Sequence, residues 1–189
     1  MSQMKKRLRK ELIEKRKKLS KKEVLEKSKQ IEKRLFEMKE FKQASTILFY
    51  VSYDNEVYTH DMIKECTSGK KIAVPICDKK DRCLILSELG SWDNLESGSY
   101  GILEPKKEKV KEISISEVDV IIVPGVGFDL NCHRIGHGKG YYDNLLKNSK
   151  ALLIGLAYDW QIVKHIPIEE HDVLMDKIVT EKRIIDCNK

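Results

Sequence analysis

Three glycines at alternate positions, Gly136, Gly138 and Gly140, flank Lys139, with Arg134 before them and Tyr141-Tyr142-Asp143 after. Glycine lets successive backbone N–H groups turn toward a ligand without interference from a Cβ. Arg134, His137 and Lys139 add side-chain donors. Tyr141 to Leu146 reads as the opening of a helix, which contributes unpaired N–H groups and the positive end of its dipole. Together these groups make a device for holding an anion, and a polyphosphate fits it. The competing reading is a glycine-rich surface turn beside basic residues. A P-loop is excluded because Lys139 is followed by Gly140 rather than Ser or Thr. The dinucleotide pattern fails as well, since Gly125-Val126-Gly127 has Leu130 where a third glycine belongs.

Other groups are weaker by spacing alone. Asp143 falls in the first helical turn, where a carboxylate is favoured by the dipole whether or not it binds a metal. Magnesium takes one or two carboxylates plus phosphate oxygens and water, so Asp143 and a distant partner such as Asp172 would suffice. Nothing local selects Asp172 over Glu169 or Glu170. Lys5 and Arg9 share a helical face, but Lys6 and Lys10 repeat the pattern. Glu56 reads as a solvated loop residue. His137 is a candidate cation or proton donor, whereas His60, His165 and His171 show no ligand spacing. Cys132-His133 does not make a nucleophile, because adjacent loop residues do not generally face each other.

Pro124-Gly125-Val126-Gly127-Phe128-Asp129, followed by Arg134-Ile135-Gly136-His137-Gly138-Lys139-Gly140-Tyr141-Tyr142-Asp143, resembles the signature of the 5-formyltetrahydrofolate cyclo-ligases, also called methenyltetrahydrofolate synthetases. The resemblance spans Lys5 to Asp172. It implies the ATP- and Mg²⁺-dependent cyclisation of 5-formyltetrahydrofolate to 5,10-methenyltetrahydrofolate, with ADP and phosphate released. It also implies an ATP site made of Lys5, Arg9, Arg134, Ile135, Gly136, His137, Gly138, Lys139, Gly140, Tyr141 and Tyr142. The folate site it implies consists of Val51, Glu56 and Tyr100 with His137, Gly138, Lys139, Gly140 and Tyr141. Tyr100 falls where the family places an aromatic ring against the pterin, a contact that flat rings favour. Asp143 and Asp172 align with the family's metal ligands, and Arg134, Lys139 and Tyr142 are the residues closest to the chemistry. Two departures stand out. His137 replaces an Arg found in some relatives, and Cys132 stands where Gly is common, leaving Asn131 to supply any left-handed backbone. Two alternatives stay open: a paralogue acting on another pterin-like acceptor, and a non-enzymatic nucleotide or nucleic-acid binder.

The elements that must position these groups follow from periodicity. Val118 to Val123, rich in β-branched residues and stopped by Pro124-Gly125, reads as a strand buried on both faces. Ser45–Ser52, Ile72–Ile76, Cys83–Leu89 and Ala151–Ala157 read likewise, with two strand-like pieces at 177–180 and 183–185. Residues 3–18 form a helix with few apolar residues, expected on the surface of the fold. Ser20 and Glu23 make a capping box for a second helix with a stripe of Val24, Ser28, Ile31, Leu35 and Met38. A third helix covers 58–66, and 90–112 is polar with turn residues. Strands alternating with helices predict one α/β domain over 1–189, a three-layer, Rossmann-like fold with a mainly parallel sheet covered by helices and an N-terminal helical pair. The resemblance narrows this to the NagB/RpiA/CoA-transferase-like type.

No apolar run approaches a membrane span, and the Lys- and Glu-rich N-terminus is no secretory signal. Five cysteines without a C-x-x-C pair predict reduced thiols in a cytoplasm and no zinc site. The net charge of +6 admits an anionic partner, but much of the lysine is interleaved with glutamate in the first forty residues. A small-molecule substrate uses that excess without nucleic acid or membrane, in a monomer or weak dimer.

Overall fold

The computed structural model describes residues 3–169 and 172–187, apart from the side chain of Tyr100. Helix α1 (Gln3–Lys17) leads into α2 (Lys21–Glu37) and a short α3 (Lys39–Gln43). The chain then alternates through β1 (Thr46–Leu48), α4 (His60–Cys66), β2 (Lys71–Asp78), β3 (Cys83–Glu88), β4 (Leu95–Ser97) and β5 (Leu103–Pro105). It continues through β6 (Val120–Val123), β7 (Gly127–Asp129), β8 (Arg134–Ile135), α5 (Tyr141–Leu146), β9 (Leu152–Leu156) and β10 (Ile162–Val163), ending with β11 (Lys177–Val179) and β12 (Ile184–Asp186).

Seven strands form the main sheet in the order β12-β11-β9-β6-β1-β2-β3. The inner five run parallel, and β3 and β12 close the edges antiparallel. From β1 the chain winds outward to β2, then returns to place β6 on the other side. The carboxyl ends of neighbouring β1 and β6 therefore flank a topological switch point, the crevice where ligands of such sheets gather.

Both faces of the sheet are buried, as uninterrupted apolar strands require. On one face Ile47, Val74, Ile122 and Ile154 pack against Ile31 and Leu35 of α2 and Met62 and Ile63 of α4. The predicted capping box of Ser20 and Glu23 starts α2, and its stripe of Val24, Ser28, Ile31 and Leu35 is buried. Met38 is buried too, but as the residue that ends the helix. On the opposite face Leu48, Ile121, Val123 and Leu153 pack against Phe128, Leu146 and Met175. That second layer is built mainly from a short helix, a hairpin and loops.

Three expectations need correction, and one needs an addition. Helix α1 lies on the surface of the fold as expected, but it has a buried inner face: Leu12 packs with Val126, Ile135 and Ile166, and the charged Lys5 and Arg16 are buried on the same side. Cysteines were expected to be free thiols, yet Cys132 and Cys187 form a disulfide with Cα atoms 5.9 Å apart. The sequence conceals the pair because 55 residues separate them, and only the register around Met175 and Asp176, which bonds to both cysteines' backbones, brings them together. The left-handed turn residue is Cys132 itself, at φ 66°, rather than Asn131. Finally, the polar stretch 90–112 contains the paired strands β4 and β5.

Candidate active site at the switch point

A cavity of about 420 Å³ opens at the carboxyl ends of β1 and β6. Tyr50 and Val51 come from the end of β1 and Pro124 from the end of β6. Arg134 and the run Gly136 to Asp143 form one flank, while Glu56 and Tyr53 come from the loop after β1. The remaining wall comes from the β2–β3 hairpin through Pro75, Cys77 and Leu84, and from Ile102 and Glu104. Glu104 Oε1 accepts a bond from Cys77 N at 3.1 Å, which docks the 98–105 segment onto β2. The backbone of Tyr100 sits in that segment, in the turn Ser99–Gly101, but its side chain lies outside the described residues.

The glycine loop follows directly from β8. The hairpin β7–β8 is organised by Asp129, fully buried, whose carboxylate accepts bonds from the backbone N–H groups of Asn131, His133 and Ile166. His133 Nδ1 lies 3.0 Å from the same carboxylate, so this histidine serves the turn. Beyond it, Gly138 (φ +88°) and Gly140 (φ +77°) adopt left-handed backbone at alternate positions. That alternation curls the peptide units into a concavity of the kind that binds anions. Arg9 closes the loop from behind, donating from Nε to Gly136 O at 2.7 Å, and a Cβ on Gly138 would stand 3.2 Å from its Cζ. Gly140 has nothing near its missing Cβ, so its left-handed backbone alone demands glycine.

Arg134 is buried, with Nη1 on Pro124 O at 3.2 Å and Nη2 hydrogen-bonded to Asp143 Oδ1. Its guanidinium also lies 5.8 Å from the centre of the Tyr142 ring, within cation–π range. The Tyr142 hydroxyl is shut from solvent and has no hydrogen-bond partner among the described residues. Burial, reinforced by the charge of Glu56, drives its pKa well above the ordinary tyrosine value, so it remains a neutral O–H. A buried hydroxyl without a partner is costly, and Tyr142 is among the residues that line the cavity.

Glu56 is not a solvated loop residue but is 6% exposed. Its Oε1 lies 3.4 Å from His137 Nε2 and 3.6 Å from Arg16 Nη1. Tyr53 Oη also approaches His137 Nε2 at 3.4 Å, so His137 ties the glycine loop to the loop after β1. Sequence reading missed Arg16 altogether, because its place in a Lys- and Glu-rich helix looks solvated.

The remaining predicted groups are not on the wall. Ile135 is fully buried against Leu12, Val126 and Ile166, and its carbonyl accepts from Val126 N in the β7–β8 hairpin. Lys5 Nζ lies 2.5 Å from Asp172 Oδ2, and Asp172 also accepts from Glu169 N. The two candidate metal carboxylates are thus each engaged with a cation, Asp143 with Arg134 and Asp172 with Lys5. Among the described residues no three His, Cys, Asp or Glu side chains cluster to cage a metal. Of the two, Asp143 is the carboxylate on the cavity wall, an oxygen donor of the type that a hard cation takes beside phosphate oxygens and water.

The sequence profile described as the 5-formyltetrahydrofolate cyclo-ligase family matches residues 1–181. A 5-formyltetrahydrofolate cyclo-ligase of Mus musculus is 30% identical over 161 residues, covering 79% of each chain. The solution structure of Aquifex aeolicus 5,10-methenyltetrahydrofolate synthetase superimposes with a TM-score of 0.88 at 33% identity, covering 98% of this chain and 94% of that one. A 5,10-methenyltetrahydrofolate synthetase of Mycoplasma pneumoniae shares the fold, with a TM-score of 0.75 at 24% identity and 94% and 98% coverage.

Proposed function

The chain belongs to the 5-formyltetrahydrofolate cyclo-ligase family, and from that premise we propose that it uses ATP and Mg²⁺ to cyclise 5-formyltetrahydrofolate to 5,10-methenyltetrahydrofolate. One observation carries the assignment of the site. Val51, Glu56, Arg134 and the run Gly136 to Asp143, scattered over nearly a hundred residues, line a single cavity at the switch point of the sheet.

In this reading the formyl oxygen attacks the γ-phosphorus and the bond from that phosphorus to the β,γ-bridging oxygen breaks, releasing ADP. N10 then closes on the activated formyl carbon and loses its proton, and phosphate leaves with the former formyl oxygen. The protein needs to align the two reactants and balance the charge on the transferring group. The left-handed glycine backbone and Lys139 receive the phosphates, and Arg9 braces the loop from outside. Arg134, held by Pro124 O and Asp143, presents its charge at a fixed place, and Tyr142 offers a neutral donor beside it. Val51 and Glu56 form the folate side, with the segment carrying Tyr100 as its outer wall. Asp143, with Asp172 as the second carboxylate of the set, would hold Mg²⁺, which would neutralise phosphate charge when bound.

A cytoplasmic location and a monomer or weak dimer belong to the same proposal. No described helix is long and apolar enough to cross a membrane. The Cys132–Cys187 bridge is the feature that speaks against a reducing compartment. The direct test is to incubate the purified protein with 5-formyltetrahydrofolate, ATP and Mg²⁺ and to follow the methenyl chromophore in the near ultraviolet. Lys139→Ala should lower turnover at least about tenfold with folding intact, the scale of losing one preorganised charge at a transferring phosphate. Unchanged turnover would remove the loop from catalysis.

A further inference from the structure

Arg16 stands behind the cavity wall at 2% exposure, and its Nε, Nη1 and Nη2 all lack hydrogen-bond partners among the described residues. A buried guanidinium with unused donors is expensive. Its ion pair is with Glu56 at 3.6 Å, a field contact too long for a hydrogen bond. Stability does not account for such a pair, because buried ion pairs are commonly no better than apolar packing of the same volume.

The loop around Glu56 is already fixed without the Arg16 side chain. Asn55 Nδ2 donates to Arg16 O and Leu19 O at the end of α1, and Tyr158 Oη donates to Glu56 O at 2.9 Å. Tyr53 N reaches Glu56 Oε2 at 3.3 Å, which holds that oxygen within its own loop. Oε1 is the oxygen placed between Arg16 beneath it and His137 of the glycine loop. Backbone bonds set where the residue is, and the guanidinium charge faces one of its two oxygens.

We propose that Arg16 is a positioning residue for the acceptor side of the cavity, holding the Glu56 carboxylate as a fixed anion that accepts from an N–H edge of the substrate's ring. This rests on the folate reading of the cavity given above. The guanidinium never touches the substrate and acts only through Glu56, so it should govern acceptor binding and leave the nucleotide side alone.

The test compares wild type, Arg16→Met, Arg16→Lys, Glu56→Gln and the double variant Arg16→Met/Glu56→Gln, with KM measured separately for 5-formyltetrahydrofolate and ATP. Wild-type turnover comes first: its absence would sink the folate reading itself, before Arg16 is at issue. Arg16→Met should raise the folate KM about tenfold, the scale of a lost charge-assisted hydrogen bond, with the ATP KM within about twofold. Arg16→Lys, which keeps the charge but not the fork, should recover most of that loss. In the Glu56→Gln background, removing Arg16 should add nothing further, because the two act as one unit. If Arg16→Met does not fold, Arg16→Lys and the double variant, which leaves no unpaired buried charge, carry the comparison. Equal rises in both KM values, no rise at all, or full additivity with Glu56→Gln would overturn the proposal.

Discussion

Lys5 Nζ and Asp172 Oδ2 meet at 2.5 Å across 167 residues of sequence, with the lysine almost wholly buried. Four residues along α1, Arg9 donates to the carbonyl of Gly136. One helical turn thus clamps the segment around Asp172 at one point and the glycine loop at the next. Losing either member of this largely buried pair loosens the clamp, so Lys5→Met and Asp172→Asn should each weaken ATP binding about tenfold. If Asp172 also serves the metal, only Asp172→Asn should raise the Mg²⁺ concentration needed for half-maximal rate. Titrating Mg²⁺ at saturating ATP separates the two roles, and identical Mg²⁺ curves for both variants would leave Asp172 as an anchor for Lys5 alone.

Gly138 and Gly140 make a matched pair of probes. Both hold φ near +80°, where an L side chain is strained by about 1–2 kcal/mol. Only at Gly138 would the added methyl press on the Arg9 guanidinium, at 3.2 Å; around Gly140 there is open space. Gly138→Ala and Gly140→Ala should therefore cost similar thermal stability, while Gly138→Ala raises the ATP KM several-fold further. Equal kinetic effects would mean that Arg9 does not brace the loop.

The glycine loop and its left-handed turns were legible because their signal is local: three glycines, a lysine and a helix start need no distant partner to declare themselves. The strand Val120–Val123 was legible for the same reason, an apolar run cut off by Pro-Gly. The wall that carries Glu56 was not. Glu56 looks solvated until Arg16 and Tyr158 close over it, and both come from elements far away in sequence. Arg16 itself sits among lysines and glutamates whose helix has only Leu12 as a fully buried apolar anchor. Asp129 gives no local sign of its structural role either, although it accepts three backbone bonds that set the hairpin ahead of Arg134. Periodicity reports which face is apolar, and it says nothing about a charge that the tertiary fold has buried.

The free thiols give a direct readout of the cavity. Cys66 is buried, and that burial pushes its thiol up to about 12, so it stays protonated and unreactive at neutral pH. Cys77 and Cys83 are partly exposed, and Cys77 lines the cavity. A cysteine alkylator applied to the native protein should label Cys77 and Cys83, spare Cys66, and leave Cys132 and Cys187 untouched until reductant is added. Saturating 5-formyltetrahydrofolate should protect Cys77 and leave the rate at Cys83 unchanged. Peptide mapping by mass spectrometry decides both points, and labelling of Cys132 without reductant would show the bridge to be absent in solution.

Alkaline pH should act on stability before it acts on the chemistry. Burial raises the hydroxyl pKa of Tyr50, Tyr142 and Tyr158 alike, so all three are protonated when folded and titrate near the ordinary value once unfolded. Above about pH 10 the unfolded chain binds fewer protons than the folded one, and folding stability falls as pH rises. The contribution is fully present below that pH and is lost through the raised folded values. Thermal melts should accordingly be flat with respect to these groups at neutral pH and decline steeply above about pH 10. Tyr142→Phe removes one of the three and also the unpartnered donor on the cavity wall. It should soften the alkaline decline while lowering kcat about tenfold at neutral pH, where stability is unaffected or improved because no hydrogen bond is lost. A Tyr142→Phe enzyme with undiminished kcat would reduce that hydroxyl to a packing defect rather than a donor held for the substrate.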